Sequence, residues 1–382
     1  METTFRTLLV PLDGSPQAEA ALPYATRLAA CLQAELVLLR AALARTLPGV
    51  APATAQVQVV SEAEDYLAAL EARFRAAGIS CRSVVPYGAA AESIVDNASL
   101  QAASLVVMSA HGHSGPSRWT HGGVADKVVQ GLGAPVLLIQ GPGGAPAAEQ
   151  LGSVLLPLDG SELAEALLPA VALLASRLGV GVTLLSVVPP ARAAEPAGAQ
   201  ATQAERWPSA GELEAAEYLQ RVQEWLRGRG VEARVEVRGG NPAEAILDRS
   251  MADDVWLVVI SSHGRSGVGR WVYGSVADRV LHQAERPVLL FRAPGAQTRT
   301  SQPVRARRCH NCGREVYRQT FSTSDLCPRC GFKLRACANC ASYDGIVCKM
   351  DNPWSRSIYA GTPCADFVFR ETVVTESTPS GK

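Results

Sequence analysis

Short unbroken apolar runs alternate along this chain with longer stretches whose apolar positions recur every three or four residues. In the first part the apolar runs fall near 6–12, 35–41, 79–86, 104–110 and 135–140. Runs such as Leu105-Val-Val-Met108 show no polar alternation, as expected of strands covered on both faces. Amphipathic stretches lie between them, near 15–32, 61–77, 89–100 and 122–131. The order then repeats, with strand-like runs near 153–158, 181–188, 231–238, 255–261 and 287–292. Strand followed by helix followed by strand predicts right-handed crossovers and an α/β fold built on a doubly wound, Rossmann-like parallel sheet.

The repetition extends to the residues themselves. Arg6-Thr-Leu-Leu-Val-Pro-Leu-Asp-Gly-Ser15 returns as Gly152-Ser-Val-Leu-Leu-Pro-Leu-Asp-Gly-Ser161. Ser104-Leu-Val-Val-Met-Ser-Ala-His-Gly112 returns as Val255-Trp-Leu-Val-Val-Ile-Ser-Ser-His-Gly264, and Pro135-Val-Leu-Leu-Ile139 as Pro287-Val-Leu-Leu-Phe291. Two copies of one domain are expected, at 1–142 and 152–293, joined by a Gly/Pro/Ala linker at 143–151. Residues 191–211 are Ala/Pro-rich and read as a mobile loop inside copy two. A polar linker at 294–308 leads to a cysteine-rich segment at 309–371 and a disordered end at 372–382.

Composition narrows the class. At 47% hydrophobic residues the chain can bury sizeable cores, which excludes disorder throughout. Basic and acidic residues balance at 36 each, but from Pro303 onward there are 12 basic and 7 acidic. The first 302 residues thus carry no bulk attraction for nucleic acid. Met1-Glu2-Thr3-Thr4 runs straight into a strand, and Val255–Ile260 is too short for a bilayer, so a soluble, cytoplasmic protein is expected.

Open α/β sheets bind ligands outside the carboxyl ends of their strands, where strand order reverses. Asp13 and Asp159 follow the first strand of each copy. Copy two continues with Ser261-Ser-His-Gly264, nine residues, then Gly274-Ser275 opening a helix. Glycines admit a backbone close to phosphate oxygens, and a helix N-terminus offers free N–H groups to an anion. Ser275 reads both as an N-cap and as a hydroxyl donor to phosphate. The same residues have a plainer reading, with glycines shaping strand-to-helix turns and Asp-Gly-Ser capping a helix. No Gly-x-x-x-x-Gly-Lys-Ser/Thr and no first-strand Gly-x-Gly-x-x-Gly occurs, so a P-loop motor or an ordinary dehydrogenase is not expected. His111 and His263 have no partnered nucleophile, and no catalytic constellation is evident, so an enzyme is not expected.

These residues resemble the universal stress protein family over both copies, about 1–293. The resemblance implies ATP binding by an Asp after the first strand and by Gly, two residues, Gly, nine residues, Gly, then Ser or Thr. Copy two matches at Asp159, Gly264, Gly274 and Ser275, with Ser261 in place of the first glycine, and Pro157, Val187 and Val276 are further candidates for the nucleotide site. Copy one matches at Asp13, Gly112 and Gly122, with Ser109 for the first glycine and Gly123 for the final hydroxyl residue, and Pro11 is a further candidate. Copy two is therefore expected to bind ATP more tightly than copy one. The resemblance also implies an intramolecular pseudo-dimer paired through Val136–Ile139 and Val288–Phe291, or a homodimer.

Eight of the ten cysteines lie between Cys309 and Cys364. Cys309-x2-Cys312, fourteen residues, Cys327-x2-Cys330 offers four thiolates in two knuckles and resembles a zinc ribbon or rubredoxin-like module. Sulfur ligands alone do not separate zinc from iron. Cys337, Cys340, Cys348 and Cys364 form a second, less regular quartet for a second metal, or else remain thiols. Two zinc-tetrathiolate sites would move the tail from +5 to about +1, which favours a protein-interaction module over a nucleic-acid one. The expected protein is an ATP-binding stress or signalling module with unidentified protein partners. The alternatives are a scaffold without nucleotide and an iron-containing electron carrier.

Overall fold

A computed structural model of the chain describes residues 5–43, 52–110, 123–140, 151–189, 209–262, 274–292, 306–309, 315–316, 327 and 371–372. Copy one supplies β1 (Thr7–Pro11), α1 (Pro16–Glu19), α2 (Leu22–Leu32), β2 (Glu35–Leu39), α3 (Pro52–Ala76), β3 (Cys81–Val84), α4 (Ala90–Leu100), β4 (Leu105–Ser109), α5 (Val124–Gly131) and β5 (Val136–Ile139). Copy two supplies β6 (Ser153–Pro157), α6 (Glu162–Glu165), α7 (Leu168–Leu178), β7 (Val182–Val188), α8 (Ala210–Arg227), β8 (Ala233–Gly239), α9 (Pro242–Ser250), β9 (Val255–Ser261), α10 (Ser275–Gln283) and β10 (Val288–Phe291). Three short strands follow: β11 (Ala306–Arg308), β12 (Glu315–Val316) and β13 (Glu371–Thr372). Among the described residues no helix is long and apolar enough to cross a membrane.

The chain packs as two compact units whose boundaries do not follow the duplication. The first comprises Met1–Val10, Ser15–Leu36 and Ala103–Thr298, the second Pro11–Gly14, Val37–Ala102 and Arg299–Lys382. In the first unit β1 pairs with β4 and β4 with β5, both parallel. Copy two has the order β8-β7-β6-β9-β10, parallel throughout. The chain runs outward from β6 through β7 to β8 and then crosses to β9, so strand order reverses between β6 and β9. The strand cores are apolar and fully buried, with Leu155, Leu156, Leu184 and Val258 among them.

One pairing breaks the parallel pattern. β10 lies antiparallel to β5, with Val288 opposite Leu138, Leu289 opposite Leu137 and Leu290 opposite Val136. The last strands of the two copies thus meet as the pseudo-dimer reading expects. Arg292 secures the seam by donating to Gln130 O at 2.8 Å and Leu132 O at 2.6 Å, at the C-terminal end of α5. Gln140 does the same for copy two, donating to Leu281 O near the end of α10 at 2.8 Å.

Two helices differ from the sequence reading. The stretch read as one helix over 15–32 is broken at Ala20–Ala21, because α1 ends after one turn and α2 restarts with Pro23 in its first turn. The helix read from 61 begins at Pro52, where proline is tolerated at a first helical position. The added turns place Val60, buried, against Ala42 and Tyr87 within the second unit.

In the second unit β11 pairs antiparallel with β12, Arg308 opposite Glu315, and with β13. Cys309 directly follows β11.

Candidate functional site

The residues after β6 turn sharply. Gly160 sits at φ +75°, a conformation glycine adopts without the Cβ penalty. Asp159 Oδ1 accepts from Ser161 N at 3.0 Å and from Ser161 Oγ at 2.6 Å. Ser161 Oγ in turn accepts from Ala164 N at 3.3 Å and caps α6. Asp159 is therefore part of the turn, as the plainer reading of Asp-Gly-Ser requires. It also lines a cavity.

That cavity, ≈ 590 Å³, opens at the carboxyl ends of β6, β7 and β9. It is within the size range of small-molecule sites and lies at the reversal of strand order. Pro157, Asp159, Val187, Ser261, Gly274, Ser275 and Val276 all line it. Gly264, of the copy-two nucleotide candidates, and His263 lie outside the described residues.

The position of α10 follows from two hydrogen bonds. Ser262 N donates to Phe291 O at 2.8 Å, which continues the β9–β10 ladder. Gly274 N donates to Ser262 O, also at 2.8 Å, and ties the start of α10 to the end of β9. Gly274 is the N-cap, with φ −69° and ψ 153°, and Ser275 is the first helical residue. The reading of Ser275 as N-cap is thus corrected. Its hydroxyl is not consumed as the helix cap, and residue and helix end together face the cavity.

Copy one differs at this point. Gly123 is itself the N-cap of α5, so the helix starts one repeat position later than in copy two. Glycine's poor helix propensity at the position where copy two has serine accounts for the shift. Ser109 ends β4 and is buried. Pro11 and Asp13 belong to the second unit. Gly112 and Gly122 lie outside the described residues.

The far wall was not anticipated. It comes from α8, through Gly211, Glu214, Ala215, Tyr218 and Arg221, and from Pro242 and Ile246 of α9. A spacing of three to four residues along α8 puts these on one helix face. That periodicity was visible in the sequence; what it faces was not. α8 starts with a capping box between Ser209 and Glu212, so Ala210 and Gly211, read as the end of a loop, are helical. α9 is pinned by Arg249, whose Nη1 and Nη2 bind both oxygens of Asp254 at 2.7 and 2.8 Å and whose Nε binds Glu236 at 2.8 Å. The hydrogen bond from Arg249 holds the Asp254 carboxyl below its ordinary range.

Of the tail cysteines, Cys309 and Cys327 are described and both are buried. Cys312, Cys330, Cys337, Cys340, Cys348 and Cys364 lie outside the described residues.

Comparison with known proteins agrees with this architecture. The universal stress protein family profile matches residues 4–140 and again 151–292. A universal stress protein of Mycobacterium tuberculosis is 32% identical over 191 residues, spanning 50% of this chain and 62% of that relative. One of Mycolicibacterium smegmatis is 26% identical over 296 residues, 75% of this chain and 96% of the relative. A solved universal stress protein of Archaeoglobus fulgidus shares the fold at TM-score 0.59 and 18% identity, covering 75% of this chain and 98% of its own. With two successive matches over most of its length, the chain belongs to the universal stress protein family.

Proposed function

We propose that copy two binds ATP as a ligand and that the chain serves a stress-response or signalling role. The observation that carries this is that seven residues of the expected nucleotide site line one cavity at the strand-order reversal. Its parts suit the parts of a nucleotide. Val187, Ile246, Ile260 and Tyr218 offer an apolar wall to a base, Asp159 an acceptor to ribose hydroxyls, and the Ser275 hydroxyl with the first-turn N–H groups of α10 donors to phosphate. In this reading the nucleotide acts as a ligand that changes conformation or partner affinity.

ATP titration of the full chain tests the reading. Asp159→Ala is expected to weaken binding at least tenfold, since a hydrogen bond involving a charged group contributes about 1.5–3 kcal/mol. The same change removes the bonds to Ser161 and lowers stability by about 1 kcal/mol. Unchanged ATP affinity with that loss of stability would leave Asp159 a turn residue only. Ser275→Gly, which copies Gly123, is expected to weaken ATP binding by a similar factor.

For the tail we propose zinc held by Cys309, Cys312, Cys327 and Cys330, with a second ion at the later quartet. Supporting this are the pair spacing and the burial of Cys309 and Cys327, one from each pair. Strong chelation is expected to make the chain protease-sensitive after about residue 293 and leave the tandem fragment intact. A chelated tail as resistant as the native one contradicts metal-dependent folding, and visible absorbance from iron contradicts zinc.

A further inference from the structure

The duplication lets each wall of the copy-two cavity be matched to a residue of copy one. Leu158 N donates to Leu185 O at 2.8 Å, and Leu12 N to Leu39 O at 2.7 Å. The next residues are therefore equivalent: Ser186, buried on the cavity wall, and Arg40. Tyr66-Leu67 to Gly78-Ile79 matches Tyr218-Leu219 to Gly230-Val231 without insertion, which sets Tyr66 against Tyr218. Gly14 and Gly160 are also equivalent, and their φ angles, +85° and +75°, show the same turn.

Asp13, Gly14, Arg40 and Tyr66 all belong to the second unit. There the Arg40 guanidinium carbon stands 4.8 Å from the centroid of the Tyr66 ring. It also lies 3.2 Å from the point a Cβ on Gly14 would occupy. A planar cation thus touches both the turn glycine and the ring whose counterparts bound the copy-two cavity. Arg40 is held from behind, because its N–H donates to Val84 O at 3.2 Å and Ala42 N donates to Pro86 O at 2.9 Å. Only the side chain can swing away.

We infer that Arg40 is a built-in occupant of the nucleoside end of copy one. Its guanidinium lies against Tyr66 where a base would lie, so copy one is closed to ATP and the chain takes one nucleotide. The inference rests on the reading of the copy-two cavity as a nucleotide site. A guanidinium stacks on aromatic faces and is tethered, so a free nucleotide must displace it at an effective concentration far above its own.

The test is the ATP stoichiometry of the full chain by calorimetry. Wild type is expected to bind one ATP. Arg40→Ser, the residue copy two uses, is expected to bind two, and Arg40→Ala likewise. Ser186→Arg, which installs the occupant in copy two, is expected to abolish binding while the melting transition stays close to that of wild type. Two ATP on wild type, or no gain in Arg40→Ser, overturns the inference. A gain of one over a wild type that binds none supports the closed copy one and overturns the ATP reading of copy two. Should neither Arg40 variant fold, a folded Ser186→Arg that still binds ATP overturns the inference and one that has lost it supports it.

Discussion

Leu289→Asp is expected to unfold the chain or bring it to the edge of unfolding. Leu289 is 2% exposed and stands opposite Leu137, 1% exposed, in the middle of the antiparallel seam. Its loss removes a buried leucine, at about 2–5 kcal/mol. The incoming carboxylate adds the cost of burying a charge beside Val288, Leu290 and Leu138, with no cation in the register to pair it. The sum is on the order of 5 kcal/mol or more, comparable with the whole stability of many domains. Urea unfolding measures it, with Leu289→Val as a volume control costing about 1 kcal/mol. A midpoint for Leu289→Asp close to that of wild type would mean the two copies do not depend on this seam.

A second large effect is expected from the smallest change, Gly152→Ala. A Cβ at Gly152 would collide with the carbonyl oxygen and carbon of Asp254 and come within 3.1 Å of Val255 N. These are backbone atoms, so relief requires β6 to move against β9. The ladder there already shifts register between Ser153 and Val154. Overpacking of this kind costs about 3 kcal/mol. The displacement also reaches the cavity. Asp254 holds Arg249, Arg249 holds Glu236, and together they pin α9, whose Ile246 lines the cavity. ATP affinity is therefore expected to fall along with stability. Gly152→Ala that unfolds at the wild-type midpoint would show that the strand end relaxes freely. The same ion-pair cluster has a pH signature. The Asp254 carboxyl is held below its ordinary range, so its contribution is present above the unfolded carboxyl's pKa and is lost as pH falls through the folded value.

Much of this was legible from sequence because the information was local or repeated. Unbroken apolar runs located the strands, and the recurrence of Leu-Asp-Gly-Ser after the first strand located the turn that faces the cavity. Strand alternation with helices was enough to place Asp159, Ser261 and Ser275 at one end of one sheet. What was missed depended on contacts between distant segments. Gly274 became the N-cap because its N–H binds Ser262 O, a bond that residue preference alone does not anticipate. Tyr218 and Ile246 were ordinary helix positions until the crossovers turned them toward β6. Arg40 falls inside the run read as a strand over 35–41, and only the fold sets it on Tyr66 and Gly14. Gly152 occupies the position of Arg6 in copy one, so the repeat carried no warning of its crowding.

The seam between β5 and β10 has a consequence for how the two copies could diverge. Two separate chains joining through such strands form a mixed population whenever their sequences differ, with like pairs competing against unlike. Here the partners are covalently joined, so the local concentration of one for the other is fixed and every molecule contains one of each. Under that arrangement a lesion such as Arg40 in one half is never paired with itself. The pair is an obligate heterodimer in one polypeptide, in which one member can keep the pocket while the other is released to become a structural partner.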